Sequence, residues 1–305
     1  MSYIEAGDNA VRKYGGEALP GKYWRVIEES DAILKGPVGE SAGEVVVKLR
    51  RGLDLYANIR PARNYPGGVK AVRDGVDLVI VRENTEDVYV RAEYMLNNDA
   101  AIALRVITRR ASERIARVAL NMARARRRKV TIVHKANVLT VSDGLFRDTV
   151  KEVAEDYPDI VVNEMYIDSA VMDLVRRPQD FDVIVTTNLY GDILSDLAAY
   201  VTGSIGLAPS ANIGDNKALF EPIHGGAAFD IAGKGIANPT AMMLSTAWML
   251  RWYGGERTGG DGNYVMAGNA IENAVINALN RGIHTPDLGG NYTTASFTVE
   301  VIKLI

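Results

Sequence analysis

The chain has 305 residues, 47% of them hydrophobic and 24% charged, and carries 35 basic against 38 acidic side chains for a net charge of −3. That length leaves room for two domains or one large one, the weakly acidic balance gives no reason to expect a nucleic-acid partner, and the absence of cysteine excludes disulfides, thiolate metal sites and cysteine nucleophiles. No apolar run approaches the ~18 residues of a membrane span, and the start, Met1-Ser-Tyr-Ile-Glu-Ala-Gly-Asp8, lacks the regions of a signal peptide, so no membrane partner and a cytoplasmic location are expected.

In chain order, residues 3–50 read as short strands alternating with turns, among them Asp31-Ala-Ile-Leu34 followed by Lys35-Gly-Pro-Val-Gly39. From Gly43 to Leu53 the positions of Val46, Val47 and Leu49 fit a short helix. Asp54 to Arg60 reads as a strand that ends at Pro61, because the proline holds Arg60 in extended backbone. Val76-Asp-Leu-Val-Ile-Val-Arg82, Val130-Thr-Ile-Val-His-Lys135, Val161-Val-Asn-Glu-Met-Tyr-Ile-Asp168 and Phe181-Asp-Val-Ile-Val185 are short Val- and Ile-rich runs that read as strands buried on both faces. Residues 112–125 predict a helix with Ser112 as N-cap and Ile115, Val118, Ala119 and Met122 at helical spacing. The basic run Arg124-Ala-Arg-Arg-Arg-Lys129 falls where that helix ends. There its cations complement the helix dipole and stay solvated, a reading preferred to nucleic-acid binding. Strand–helix alternation over 130–155 and 181–201 argues for an α/β fold, and the Gly-rich stretch Tyr253–Asn263 is expected to be a mobile loop.

The four apolar runs deliver Arg82, Lys135 and Asp168, and, shortly after the last of them, Asp192 and Asp196. Ligands of open α/β sheets bind beyond the carboxyl ends of the strands, so this mixture of cations and carboxylates suggests an anionic substrate held with a divalent metal. In Gly191-Asp-Ile-Leu-Ser-Asp196 the two aspartates are spaced i,i+4 and share one face of a helix, while Ile193, Leu194, Leu197 and Ala198 can bury the other. Oxygen-only ligands select Mg²⁺ or Mn²⁺, and Asp168 at another strand end could complete a three-carboxylate site. The bland alternative is that Asp192 caps the helix and Asp196 is solvated. Arg50, Arg60 and Arg82 could each be a salt-bridge residue, or could converge on a di- or tricarboxylate through bidentate hydrogen bonds. Lys135 and Tyr89 are candidate acid–base groups, with a salt-bridged lysine and a half-buried tyrosine as the alternatives. The small-residue stretch from Glu221 through His224, Gly225 and Asp230 to Asn238 and Pro239 allows close approach of a ligand, and it is no Rossmann fingerprint; it could equally be a packed turn.

Leu49-Arg-Arg-Gly-Leu-Asp-Leu-Tyr-Ala-Asn-Ile-Arg-Pro61, Val81-Arg-Glu-Asn-Thr-Glu86, His134-Lys-Ala-Asn-Val138, Asn188-Leu-Tyr-Gly-Asp-Ile-Leu-Ser-Asp196, Leu207-Ala-Pro-Ser-Ala-Asn-Ile-Gly214 and residues 221–239 together resemble the β-decarboxylating dehydrogenases, the family of isopropylmalate, isocitrate, homoisocitrate and tartrate dehydrogenases. The resemblance runs in family order over nearly the whole chain. It implies a two-domain α/β fold with a large mixed sheet flanked by helices. Residues 1–55 and 203–305 would form a discontinuous cofactor domain, and 56–202 the domain for substrate, metal and dimerisation. It implies NAD and Mg²⁺ (or Mn²⁺) as cofactors and a homodimer with shared active sites, a tetramer being the larger alternative. Arg50, Arg60 and Arg82 would hold the carboxylates of a 2-hydroxy di- or tricarboxylate. Asp192, Asp196 and a partner's Asp168 would bind the metal, Lys135 of the partner subunit would take the hydroxyl proton, and Tyr89 would protonate the enol. His224, Gly225, Asp230 and Asn238 would receive the adenosine end and Asn137 the nicotinamide, with Asp230 favouring NAD over NADP.

Three departures accompany the resemblance. The family's opening βα unit and its Gly-Asp-Gly-Ile-Gly-Pro-Glu loop are missing, the stretch His224–Asp230 is one residue longer than the usual spacing, and Glu86-Asp87 is more typical of the isocitrate and homoisocitrate branches. Val45, Val46 and Val47 ahead of Arg50 could pack an isopropyl group, whereas a third carboxylate would need a polar or cationic partner there; Lys48 is expected to point elsewhere. The expected substrate is therefore 3-isopropylmalate, with homoisocitrate or isocitrate as the alternative and a non-catalytic regulatory subunit as the rival of another class.

Overall fold

Runs of Val and Ile supply the centre of one eight-stranded sheet in the computed structural model, which describes residues 1–305. Its strands are β1 (Ala32–Leu34), β2 (Ala57–Arg63), β3 (Asp77–Glu83), β6 (Lys129–His134), β7 (Val161–Tyr166), β8 (Val183–Thr186), β9 (Pro209–Ile213) and β10 (Ala218–Pro222). They lie in the order β1-β10-β9-β2-β3-β8-β6-β7, and β4 (Glu93–Asn97) with β5 (Ala100–Ala103) forms a separate antiparallel hairpin. β3, β8, β6 and β7 are mutually parallel neighbours, whereas β2 is antiparallel to both β3 and β9. The helices are α1 (Asp8–Lys13), α2 (Trp24–Glu29), α3 (Ala42–Gly52), α4 (Arg109–Arg124), α5 (Ser142–Ala154), α6 (Ile167–Arg176), α7 (Asn188–Val201), α8 (Thr240–Trp252), α9 (Gly262–Asn280) and α10 (Thr294–Ile302). None is long and apolar enough to cross a membrane.

Alternation along the strands decides what each face of the sheet meets. Ile59, Val79 and Val81 turn toward Ile115 and Leu120 of α4 and Phe146 and Val150 of α5. Ala62, Leu78 and Ile80 turn the other way, toward Leu174 of α6 and Leu194 and Ala198 of α7. By the same alternation Arg60 and Arg82 point at α7. Two further cores pack α8, α9 and α10 around Leu244, Val275, Leu279 and Phe297, and α2 and α3 around Leu19, Ile27, Val45 and Leu49.

Several expectations need correction. The regular structure of residues 3–50 is helical apart from β1, the one strand; α1 and α2 have six residues each, too short for a helical period to show in sequence. β2 runs through Pro61 to Arg63. β9 pairs only with Ala57–Ile59, so one edge of β2 is free beyond that point and a residue without an N–H is tolerated. Helix α4 is capped by Thr108, whose hydroxyl accepts from the Ala111 N–H at 3.2 Å, while Ser112 lies inside it and donates to the Thr108 carbonyl. β7 is an edge strand with mostly exposed side chains, not one buried on both faces. Ile193 is 53% exposed and not part of the buried face of α7. Past α8 the chain stays helical in one wide turn to Arg257 before α9 begins at Gly262, so little of Tyr253–Asn263 is loop. Arginines of the basic run are bound, not simply solvated: Arg124 pairs with Asp159, Arg126 with Asp77 and the buried Asp182, and Arg127 with backbone carbonyls.

Candidate active site

Arg82, next to last in β3, has no exposed surface. It lies against α7 because Gly191 has no side chain there: a Cβ at Gly191 would stand 2.5 Å from Arg82 Cγ. Arg82 Nε donates to Asn188 Oδ1 at 2.8 Å and Nη1 to Asp192 Oδ1. One strand over, Arg60 Nη1 donates to Ser195 Oγ at 2.6 Å and Asp192 Oδ1 at 3.2 Å, and stands 3.7 Å from Asp196 Oδ1. Arg50, in the last turn of α3, reaches Glu221 Oε1 at 3.3 Å. The three guanidiniums therefore converge. Burial, then the charge of Arg82, pulls Arg50 down to about 10, and the same two causes lower Arg60. Arg50 Nε, Arg60 Nε and Arg82 Nη2 are buried without a partner. Unmatched buried donors on cations are costly, and an anionic ligand is what would satisfy them.

Asp192 does not cap its helix; Thr187 occupies that position. Burial pushes the Asp192 carboxyl up, but Arg82 and Arg60 outweigh it and hold it at about 2. Asp196 shares that helix face and is raised by burial, with the Asp192 charge adding to the effect. The pair is thus a permanent carboxylate beside one that a divalent cation would stabilise, an oxygen donor set suited to Mg²⁺ or Mn²⁺. Tyr89, in a short turn after β3, donates its hydroxyl hydrogen to Asp192 Oδ2, and the Arg82 guanidinium lies 5.0 Å from its ring centre. Burial raises the Tyr89 phenol, so it is a proton carrier and not a phenolate at neutral pH.

Lys135 and Asp168 sit elsewhere. Lys135 follows β6, Asp168 opens α6 after β7, and Lys135 Nζ donates to Asp168 Oδ1 at 2.6 Å. These strands are separated from β3 by β8, and no hydrogen bond or ion pair joins this couple to Asp192 or Asp196. Within one chain no three His, Asp or Glu side chains gather to hold a metal. The expected three-carboxylate site would require a second copy.

Among the cofactor candidates, His224 is half-buried and its imidazole is pushed toward neutrality by burial. The Gly225 carbonyl accepts from the Val38 N–H at 3.2 Å. Asp230 is exposed in the turn Phe229–Ile231, next to Ala228, which sits in left-handed backbone at φ 46. Asn238 Nδ2 donates to Asp287 Oδ2 at 3.0 Å, and its Oδ1 caps the Thr240 N–H. Asn137 is exposed just past Lys135. No hydrogen bond joins Asp230 to His224 or Asn238. On α3, Val45 is spent in the core, Val46 is buried on the face it shares with Arg50, and Val47 is half-exposed. Lys48 Nζ donates to the Leu19 carbonyl at 3.0 Å, away from Arg50.

Reasoning from sequence gave no role to the groups that hold these side chains. Glu221 is buried and accepts from Lys35 at 2.8 Å, Arg50, and Asn212 Nδ2 at 2.8 Å. Burial raises its carboxyl, but Lys35 and Arg50 bring it down to about 2. Asn212 Oδ1 in turn accepts from Asn58 and Asn84. The signal available was that Asn58, Asn84, Asn212 and Glu221 all fall within the segments that carry the resemblance.

A family model described as isocitrate/isopropylmalate dehydrogenase matches residues 1–305. The chain is 53% identical over 300 residues to 3-isopropylmalate dehydrogenase of Sulfurisphaera tokodaii, covering 98% of this chain and 87% of that relative. It is 56% identical over 260 residues to the isocitrate/homoisocitrate dehydrogenase of Thermus thermophilus, covering 84% of this chain and 73% of the relative. The crystal structure of isocitrate dehydrogenase from Methylococcus capsulatus superposes with a TM-score of 0.89 at 44% identity, over 98% of this chain and 88% of the other.

Proposed function

The chain belongs to the isocitrate/isopropylmalate dehydrogenase family, and from that membership we propose that it carries out the NAD-dependent oxidative decarboxylation of 3-isopropylmalate to 2-oxoisocaproate, a step of leucine biosynthesis. The observation that carries this reading is the set of three converging, buried arginines with unpartnered N–H groups around Asp192 and Tyr89. Arg50, Arg60 and Arg82 bind the substrate carboxylates. Lys135 of the partner subunit takes the proton of the 2-hydroxyl, and Tyr89 delivers a proton to the enol carbon once CO₂ has left. His224, Gly225, Asp230, Asn238 and Asn137 would receive NAD, which would supply the hydride acceptor. Asp192 and Asp196, with Asp168 of the partner subunit, would hold Mg²⁺ or Mn²⁺, which supplies Lewis acidity at the substrate oxygens.

Residues 1–55 and 203–305 serve as the cofactor domain and 56–202 as the domain for substrate, metal and dimerisation. Support for a homodimer with shared sites comes from the separation of Lys135 and Asp168 from Asp192, and from exposed apolar side chains on the β4–β5 hairpin (Tyr94, Met95, Leu96, Ile102) and on α6 and α7 (Met172, Ile193, Tyr200). Such patches mark association surfaces. A cytoplasmic location goes with this reading.

Val46, four residues before Arg50, and the engagement of Lys48 with Leu19 favour an apolar substituent on the malate. A tricarboxylate is the second reading. Its supports are the similarity to the Thermus enzyme and a shallow depression where Lys48, Arg51 and Arg91 outnumber the single carboxylate Glu44, with Val47 and Gly52 completing the lining. The test is turnover: purified protein with 3-isopropylmalate, NAD and Mg²⁺ should form NADH and release CO₂. Folded dimer that does neither, with any of the three family substrates, contradicts the proposal and returns the regulatory-subunit reading.

A further inference from the structure

Behind the site lies a fourth arginine, which touches none of the substrate-binding groups. Arg105 sits between the β4–β5 hairpin and α4, and its side chain is 14% exposed. Its Nε donates to Asp87 Oδ1 at 2.6 Å, Nη2 to Thr187 Oγ1 at 2.8 Å and to Asp87 Oδ2 at 3.3 Å, and Nη1 to Asp143 Oδ1. Its guanidinium lies 5.0 Å from the ring centre of Tyr190. Asp87 and Asp143 are both fully buried, and Arg105 is the only cation paired with either.

Both carboxylates also accept from backbone N–H groups close to residues assigned to the chemistry. Asp87 accepts from the Val88 N–H at 2.8 Å, one residue before Tyr89, and from the Leu189 N–H at 3.0 Å in the first turn of α7, three residues before Asp192. Asp87 is itself held in left-handed backbone at φ 69, a conformation that costs free energy and persists where surrounding contacts impose it. Asp143 accepts from the Lys135 N–H at 2.6 Å. The flanking chain is laced to the same loop: Glu86 accepts from the Thr108 N–H and hydroxyl, and the Asp87 N–H donates to the Val106 carbonyl at 2.8 Å. One planar fork thus ties together the segments that carry Tyr89 and Lys135.

We infer that Arg105 is a positioning residue for both proton-transfer groups, setting Tyr89 through Asp87 and Lys135 through Asp143. This rests on the proposed roles of Tyr89 and Lys135. Because Lys135 would serve the partner's site while Tyr89 serves its own, a single Arg105 governs one group in each of the two sites. Lysine cannot replace it, since a point cation lacks the fork that spans two carboxylates and a hydroxyl. Displacing reacting groups by ~1 Å costs on the order of 100-fold in rate.

The test uses the full-length dimer. Arg105→Lys should leave the melting temperature, Mg²⁺ binding and substrate KM near wild type while kcat falls about 30- to 100-fold; wild-type kcat overturns the inference, as does a loss confined to KM. Mixed dimers then separate the two arms. Tyr89→Phe and Lys135→Met subunits should complement each other to about half activity, and their failure to do so counts against shared sites, leaving the Arg105→Lys result to judge Arg105 alone. An Arg105→Gln subunit should complement neither, because both of its groups are misplaced. Rescue of either partner by Arg105→Gln would overturn the double role. Should Arg105→Gln fail to fold, Arg105→Lys subunits take its place in the same pairings.

Discussion

Tyr89 donates its hydroxyl hydrogen to Oδ2 of Asp192, whose Oδ1 is held by Arg82. One carboxylate thereby joins the proposed proton donor, a substrate-binding cation and the proposed metal ligand. Tyr89→Phe removes the proton and keeps the ring over Arg82. We expect kcat to fall about 100- to 10,000-fold, the range for loss of a positioned acid, with substrate affinity changed little. Steady-state kinetics beside calorimetric substrate binding checks this, and an effect confined to KM would remove Tyr89 from the chemistry.

Arg60 and Arg82 should act mainly through binding. Arg82→Lys keeps a charge but loses the fork, and substrate Kd should rise about 10- to 100-fold, equivalent to roughly 1.4–3 kcal/mol. Direct titration of 3-isopropylmalate in the presence of Mg²⁺ measures it; an unchanged Kd would mean that Arg82 only neutralises Asp192.

Asp192 and Asp196 should carry the divalent-ion dependence. Asp196→Asn should weaken Mn²⁺ binding at least about 10-fold, as loss of a charged oxygen ligand implies. Electron paramagnetic resonance of free Mn²⁺ reads this without turnover. Binding as tight as wild type would place the metal elsewhere.

Glu221 should make stability depend on acid. Its folded carboxyl, at about 2, lies below the ordinary value of 4.5, so its stabilising contribution is full above pH 4.5 and is lost as pH falls toward 2. The shift corresponds to about 3 kcal/mol. Glu221→Gln leaves Lys35 and Arg50 buried without a counter-charge and should cost about 3–5 kcal/mol at neutral pH. Denaturation curves from pH 7 down to 3 should show the difference from wild type shrinking; a constant difference would deny the linkage.

The central strands were legible because Val and Ile runs buried on both faces have few other readings. That Asp192 and Asp196 share one helix face was legible because i,i+4 spacing leaves little choice of face. The N-terminal helices were not, since six-residue elements are shaped by packing of Ala10, Leu19 and Ile27 and not by a visible period. Arg105, Asp87 and Asp143 were also hidden. They come from three separate segments, and only the tertiary fold reveals that two buried carboxylates share one cation. Pro61 read as a strand end because the free edge of β2 depends on how far β9 extends, which no local pattern encodes.

The most direct measurement compares kcat/KM for NADH formation with 3-isopropylmalate, isocitrate and homoisocitrate under saturating NAD and Mg²⁺. The account predicts a preference for 3-isopropylmalate of at least about 10-fold, the discrimination that one unpaired buried charge against an apolar wall supplies. A preference for either tricarboxylate would contradict it and would show that Arg91 or Lys48 reaches the substrate.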